Sequence, residues 1–145
     1  MSLVGTYDDG NIFAKILRGE VPAVRVFEDD HVLAFMDAFP QSRGHTLVIP
    51  KHSRARNLLE EEPHTLSGLI LGVQRVARAV NSALKPDGIV ITQFNGSPAG
   101  QTVFHLHVHI IPRWEGVPLG RHAGGGMADL AELKALAEQI AAQIS

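Results

Sequence analysis

The sequence contains no cysteine. That excludes disulfides, Cys-ligated zinc, iron–sulfur clusters and a thiol nucleophile. It also lacks a surplus of positive charge: 13 Lys and Arg stand against 15 Asp and Glu, a formal net charge of −2, and a protein that grips nucleic acid non-specifically is normally basic. No apolar run approaches the length that crosses a bilayer. The opening residues, Met1-Ser2-Leu3-Val4-Gly5-Thr6-Tyr7-Asp8-Asp9, have neither a cationic start nor an apolar stretch, so no secretory leader is expected. The expectation is a soluble cytoplasmic protein with no membrane and no nucleic acid among its partners. With 145 residues, 45% of them hydrophobic, one domain is expected over 1–145, long enough to bury a core without staples. Against these absences stand eight histidines.

The chain divides into short elements. Residues 1–10 read as polar and loose. Asn11 caps a short helix carrying Ile12, Phe13, Ile16 and Leu17, and Gly19 stops it. Val24–Glu28 and His31–Met36 read as strands joined by an acidic turn, and His45–Pro50 as a third strand ended by proline. A helical turn is expected near Leu58-Leu59. Leu66, Leu69, Ile70, Val73, Val76, Ala77 and Val80 recur at helical spacing, which predicts a long amphipathic helix over Thr65–Leu84. Pro86-Asp87-Gly88 is turn chemistry. Ile89–Phe94 and Thr102–Ile111 read as strands four and five, the latter stopped by Pro112. Residues 113–126 read as irregular, with Gly124-Gly125-Gly126 a flexible linker. A terminal helix is expected over Ala128–Ile144. Short connections between the first three strands imply a meander, hence an antiparallel α+β fold, and the turn at 95–100 allows strands four and five to pair.

The segment Phe104-His105-Leu106-His107-Val108-His109-Ile110-Ile111 concentrates the chemistry. Strand side chains alternate faces. Phe104, Leu106, Val108 and Ile110 are therefore expected in the core, with His105, His107 and His109 together on the other face. A lone histidine is ordinarily a hydrogen-bonded surface or core residue; three in register opposite an unbroken apolar row are not. Metal binding is one reading, but residues two apart on a strand are roughly 6.8 Å apart, and three histidines of one straight strand would have to bend sharply onto one ion. The other reading is metal-free catalysis along an anionic substrate. A neutral imidazole nitrogen attacks phosphorus well near pH 7, provided an acceptor such as a backbone carbonyl holds its other nitrogen protonated. Spacing alone leaves both open. The preceding loop, Asn95-Gly96-Ser97-Pro98-Ala99-Gly100-Gln101-Thr102, has glycines that permit close backbone approach to an anion but lacks the Gly-Lys-Ser/Thr of a P-loop.

The run Gly100–Arg113 resembles the histidine triad (HIT) family signature His-φ-His-φ-His-φ-φ, with φ apolar. Asn11–Ala23, Phe27–Asp30, Leu33–Asp37 and Gly44–Lys51 are similar to its other motifs, in the same order, so the resemblance spans a core of about 11–113, with 114–145 a variable loop and C-terminal helix. It implies a five-stranded antiparallel sheet with a long helix and a C-terminal helix, a homodimer, and a purine nucleotide substrate, an AMP or GMP derivative. It implies hydrolysis or transfer of a nucleoside monophosphate from phosphoramidates, acyl-nucleotides or dinucleoside polyphosphates, without a cofactor. By the same match His107 is the nucleophile, His105 and His109 flank the phosphate and His107, and His45 supports the cluster. Asp37 accepts from the ribose. Ile12, Phe13, Ile16 and Phe35 form the base slot; Asn95, Gly100 and Thr102 line the phosphate, Thr102 where many relatives carry Ser; Gln101 lies near the leaving group. Without the resemblance, Ile12, Phe13, Ile16 and Phe35 read as core, Asp37 as a loop cap and His45 as an exposed strand residue. His31, His52, His64 and His122 read as surface residues. Several bacterial relatives carry Cys-x-x-Cys and structural zinc where this chain has Asn11 and Ala14, so no structural metal is expected. The rival functions are a nucleotide-binding adaptor with little turnover and a His-rich metal protein.

Overall fold

The structure, a computed structural model, describes residues 3–120 and 126–145. The first helix, α1 (Ile12–Leu17), begins where Asn11 Oδ1 accepts from the Ala14 amide at 2.9 Å and ends before Gly19, which takes φ +77°. Three strands follow as a meander: β1 (Arg25–Glu28), β2 (Val32–Met36) and β3 (Thr46–Pro50). A 3-10 turn at Leu58–Glu60 leads to the long helix α2 (Pro63–Leu84), with Pro63 in the first turn, where a missing N–H costs nothing. Then come β4 (Gly88–Thr92), a 3-10 turn at Ser97–Ala99, β5 (Val108–Arg113) and the helix α3 (Leu130–Ala141), capped by Asp129. The five strands form one antiparallel sheet in the order β1-β2-β3-β5-β4, as expected of an α+β fold of this type.

The sheet is covered on both faces. Val32, Ala34, Met36, Val48, Leu106, Val108 and Ile110 pack against α2 and α3, while Leu33, Phe35, Leu47 and Ile49 pack against Phe13 and Ile16 of α1. This is why β2 and β3 read as continuous apolar runs rather than an alternation. On one side of the sheet α2 and α3 make the main core. On the other, α1 covers only part of the surface, and that side holds the histidines.

Three expectations change. The fifth strand begins at Val108, not Thr102, because residues 103–105 form a bend and the Leu106 amide donates to the Ala55 carbonyl at 3.0 Å instead of to a sheet neighbour. That strand also runs through Pro112 rather than stopping there. The β3 ladder has ended by Ile110, so the missing N–H of Pro112 costs no bond on that side. Finally, the N-terminal segment is tied down rather than loose: Asn57 Nδ2 donates to the Leu3 carbonyl at 3.0 Å, and Arg18 Nη1 to the Asp9 carbonyl at 2.9 Å. The glycine linker lies largely outside the described residues, and His122 entirely so.

Candidate functional site

His109 sits on β5 opposite Leu47 of β3 and Thr92 of β4. Cross-strand partners share a face, so His109 points with Leu47 toward α1. The His107 ring lies beside it, centroids 5.0 Å apart, and meets Phe13 of α1 edge-on at 4.9 Å. Phe94 flanks His109 at 5.3 Å. His45 and Asp37 extend the β2–β3 ladder one pair beyond Met36 and Thr46, with the Asp37 amide donating to the His45 carbonyl at 3.0 Å. His45, His105, His107 and His109 are all buried. Phe104, expected in the core, is instead half-exposed beneath the Arg56 guanidinium, 4.9 Å from its ring centroid.

The hydrogen bonds fix which nitrogen of each ring carries the proton. His107 Nδ1 lies 2.7 Å from the His105 carbonyl. A carbonyl only accepts, so Nδ1 carries the proton, and in the neutral ring Nε2 keeps its lone pair. His105 Nε2 donates to the Pro50 carbonyl at 3.1 Å, and Nδ1 accepts from the Tyr7 hydroxyl at 2.7 Å. Both ring nitrogens of His105 are thus committed, and its contact with His107 passes through its main chain rather than its ring. Burial pushes the His105 imidazole below its usual pKa, opposed in part by the Pro50 hydrogen bond and the Glu61 charge, so the ring is neutral at pH 7. His45 Nδ1 accepts from the Gln41 amide at 3.0 Å, which leaves Nε2 to donate to His109 Nδ1 at 2.9 Å. His109 therefore carries its proton on Nε2.

Asp37, His45 and His109 each bring one ligand atom within 4.8 Å of the others, a spacing that a divalent ion can span. The Gln41 amide argues against a metal centre. It holds a lone pair on His45 Nδ1, so the neutral ring keeps its proton on Nε2, the atom that would have to ligate. Metal-bound histidines show the opposite pattern, donating the second N–H to an acceptor. The Asn11 side chain is occupied by the α1 cap.

Other predicted site residues surround the cluster. Phe13, Ile16 and Phe35 are buried together, and Phe13 alone of the three has a ring contact with a histidine. Ile12 is 41% exposed and lines a cavity of about 340 Å³ with Asn11, Thr102, Val103, Asp8 and Arg56. A hollow of about 540 Å³ at the far end of β5, around Asp87, Arg113 and Trp114, holds none of the histidines. Asp37 Oδ1 accepts from the Phe39 amide at 2.8 Å and Oδ2 stands 3.4 Å from His45 Nε2. Asn95 Oδ1 accepts from the Leu58 amide and from Gln93 Nε2. Gln101 is buried: its Oε1 accepts from the Gly96 amide at 2.8 Å, and its Nε2 donates to the Arg56 and Val103 carbonyls. It closes the loop that Gly100 bends with φ +110°. His31, His52 and His64 are exposed. Sequence reasoning missed Tyr7, Phe94, and the amide of Gln41. An isolated tyrosine in a polar stretch carries no pattern, and neither does a main-chain donor.

The chain is similar to known proteins. The family model described as HIT domain matches residues 18–116. The "Protein hit" of Bacillus subtilis is 44% identical over 103 residues, covering 71% of this chain and 70% of that protein. The adenylylsulfatase HINT3 of Arabidopsis thaliana is 36% identical over 124 residues, 81% of this chain but 62% of that longer protein. The crystal structure of a Hit-like protein involved in cell-cycle regulation from Bartonella henselae superposes with a TM-score of 0.90 at 48% identity, covering 97% of this chain and all of that one. With this match, the ordered motifs and the histidine cluster, the chain belongs to the HIT family.

Proposed function

We propose that the protein binds a purine nucleotide and hydrolyses or transfers its nucleoside monophosphate, cleaving phosphoramidates, acyl-nucleotides or dinucleoside polyphosphates at the α-phosphate with His107 as nucleophile. The observation that carries this reading is the 2.7 Å bond from His107 Nδ1 to the His105 carbonyl. It reserves the Nε2 lone pair for phosphorus. As Nε2 bonds to phosphorus, the bond to the leaving group breaks and the leaving group takes up a proton from solvent. The ring of the intermediate is cationic, with phosphorus on Nε2 and the proton on Nδ1, and the same carbonyl stabilises that charge. His109 acts as a neutral donor, its Nε2–H to a phosphate oxygen. Water then attacks phosphorus and gives up a proton to solvent, the Nε2–P bond breaks, and His107 returns to its starting tautomer. A relative named an adenylylsulfatase supports a hydrolase.

The test is rapid quenching of a reaction with an adenosine phosphoramidate, followed by mass spectrometry of the peptides. A nucleotidyl adduct on His107 is expected. Turnover with no adduct on that ring, and direct attack by solvent, overturns the reading; saturable AMP binding with no turnover of any adenylated substrate supports an adaptor instead.

The working unit in this reading is a homodimer joined through β4. That strand lies at the sheet edge, its Val90 and Ile91 are 37% and 44% exposed, and Ile70 and Leu71 of α2 are more exposed still. An apolar edge strand left open invites pairing with another chain, and a second copy covers it. Light scattering on the wild type and on Ile91→Lys, expected to be dimer and monomer, checks this.

A further inference from the structure

We propose that Tyr7 is a positioning residue for the reaction: its hydroxyl holds His105, and the main-chain carbonyl of His105 holds the proton of His107 on Nδ1. This rests on the reading of His107 as the nucleophile.

The chain of contacts is continuous. The Tyr7 hydroxyl is 2.7 Å from His105 Nδ1 and the two rings meet at 63° with centroids 5.8 Å apart. At the other end of the same imidazole, Nε2–H reaches the Pro50 carbonyl at 3.1 Å. A ring anchored at both nitrogens cannot turn, and its backbone follows. This matters at His105 because β5 begins only at Val108, so residue 105 sits in a bend without the ladder that fixes a strand carbonyl. The carbonyl so held lies 2.7 Å from His107 Nδ1.

Tyr7 is itself fixed. The Arg54 guanidinium stands over its ring at 4.9 Å and is paired with Asp9. Asp8 and Asp9, at the start of the turn into α1, are tied by Asn11 Nδ2 to the Asp8 carbonyl and by Arg18 Nη1 to the Asp9 carbonyl. The chemistry requires a donor at this point. Because His105 Nε2–H faces a carbonyl, Nδ1 must accept, and a hydroxyl hydrogen-bonded to the neutral ring disfavours the imidazolium. A second positive charge two residues from His107 would oppose the cationic intermediate. The titratable groups facing this pair are Tyr7 itself, Asp9 and Arg18 from the N-terminal side, Arg54 from the segment after β3, Glu61 from the turn before α2, and His107, whose Nδ1 meets the His105 carbonyl. Burial raises the Tyr7 phenol above its ordinary value, so it remains a donor throughout the neutral range.

Two variants and two readouts test the assignment. Tyr7→Phe keeps the ring and removes the hydroxyl. Its kcat is expected to fall about tenfold to a hundredfold, the range for a slightly misplaced reacting group, with KM changed less than about twofold. Ring-nitrogen NMR of the unliganded protein is expected to report proton-bearing Nδ1 on His107 in the wild type and mixed tautomers in the variant. Tyr7 is the only tyrosine of the chain, so biosynthetic incorporation of a ring-fluorinated tyrosine labels this one site and lowers its ionisation into an accessible range. A phenolate cannot donate, so kcat is expected to drop with the same midpoint as the fluorine signal. A kcat that stays flat through that ionisation overturns the proposal, as do unchanged tautomers of His105 and His107 in Tyr7→Phe. If the wild type turns over no substrate, the nucleophile reading fails by itself, and the NMR comparison still decides whether Tyr7 sets the tautomers.

Discussion

Phe13 meets the ring of His107 edge to face, 4.9 Å between centroids and 85° between planes, while its own flank rests on Phe35 at 5.4 Å. The helix α1 therefore does more than cap one side of the sheet: it sets an aromatic ring at right angles against the candidate nucleophile. Phe13→Leu keeps the core filled and removes the ring contact. Loss of stability is expected to stay near 1 kcal/mol, as for other volume-conserving swaps, while kcat falls several-fold as the His107 ring gains freedom. Thermal unfolding and steady-state kinetics on an adenosine phosphoramidate check both. A rise in KM alone would assign Phe13 to the base slot and not to the catalytic ring.

His107→Ala is expected to lower kcat by at least about a thousandfold, as removal of a nucleophile does in other covalent enzymes. Nucleotide affinity should stay within about threefold, because the nucleophile acts chiefly in the transition state. Isothermal titration with AMP beside single-turnover kinetics separates the two quantities. Wild-type turnover in this variant would remove His107 from its role.

His45 and His109 form one unit through the 2.9 Å contact of Nε2 and Nδ1. With the Gln41 amide on its far side, His45 forces the proton of His109 onto Nε2. If His109 serves as a neutral donor, an amide can stand in for it, and His109→Gln should retain more activity than His109→Ala. His45→Ala should cost about tenfold or more in kcat through loss of that tautomer, a share of what general acid–base groups contribute. The double variant His45→Ala/His109→Ala should be no worse than His109→Ala. Additive losses in this cycle would separate the two residues.

Most of the fold was legible because its signals are local. Asn11 and Gly19 bracket α1 as their side-chain and backbone chemistry requires, and the spacing of Leu69, Val73, Val76 and Val80 marks the buried face of α2. The histidine alternation also held for His107 and His109. It failed at His105 and Phe104, where an apolar–polar pattern is already running in the sequence while the chain is still in a bend and the strand has not begun. What decides that break is a bond to the Ala55 carbonyl, contributed by a segment some fifty positions away in the chain. Tyr7 was illegible for the same reason. Its importance comes from a hydroxyl arriving at His105 across 98 positions, and no local pattern records such a contact.

Gly72 lies in the buried face of α2, where a Cβ would come within 2.8 Å of Val32 Cγ2 on β2. Val32 is fully buried, so it has little room to yield. Gly72→Ala is expected to gain helix propensity of about 1 kcal/mol and to lose more than that by overpacking, typically about 1–3 kcal/mol. A lower thermal midpoint with intact turnover is the expected result, since the crowding falls on the α2 side of the sheet, away from His107. An unchanged or raised midpoint would mean that helix and sheet can part cheaply at this point.

The buried His105 imidazole makes stability depend on pH in a defined direction. Burial lowers its folded pKa below the ordinary value of about 6.5 for an imidazole. The unfolded chain therefore takes up this proton first as the pH falls, and stability decreases wherever the unfolded state binds more protons. The contribution is complete above about pH 6.5, declines below it at up to about 1.4 kcal/mol per pH unit for one proton, and levels off once the pH passes the depressed folded value. Urea unfolding between acid and neutral pH measures the slope. The comparison is with His105→Gln, whose slope should be shallower by the share of one proton. If wild type and His105→Gln lose stability in parallel on acidification, the buried ring is not the group that titrates.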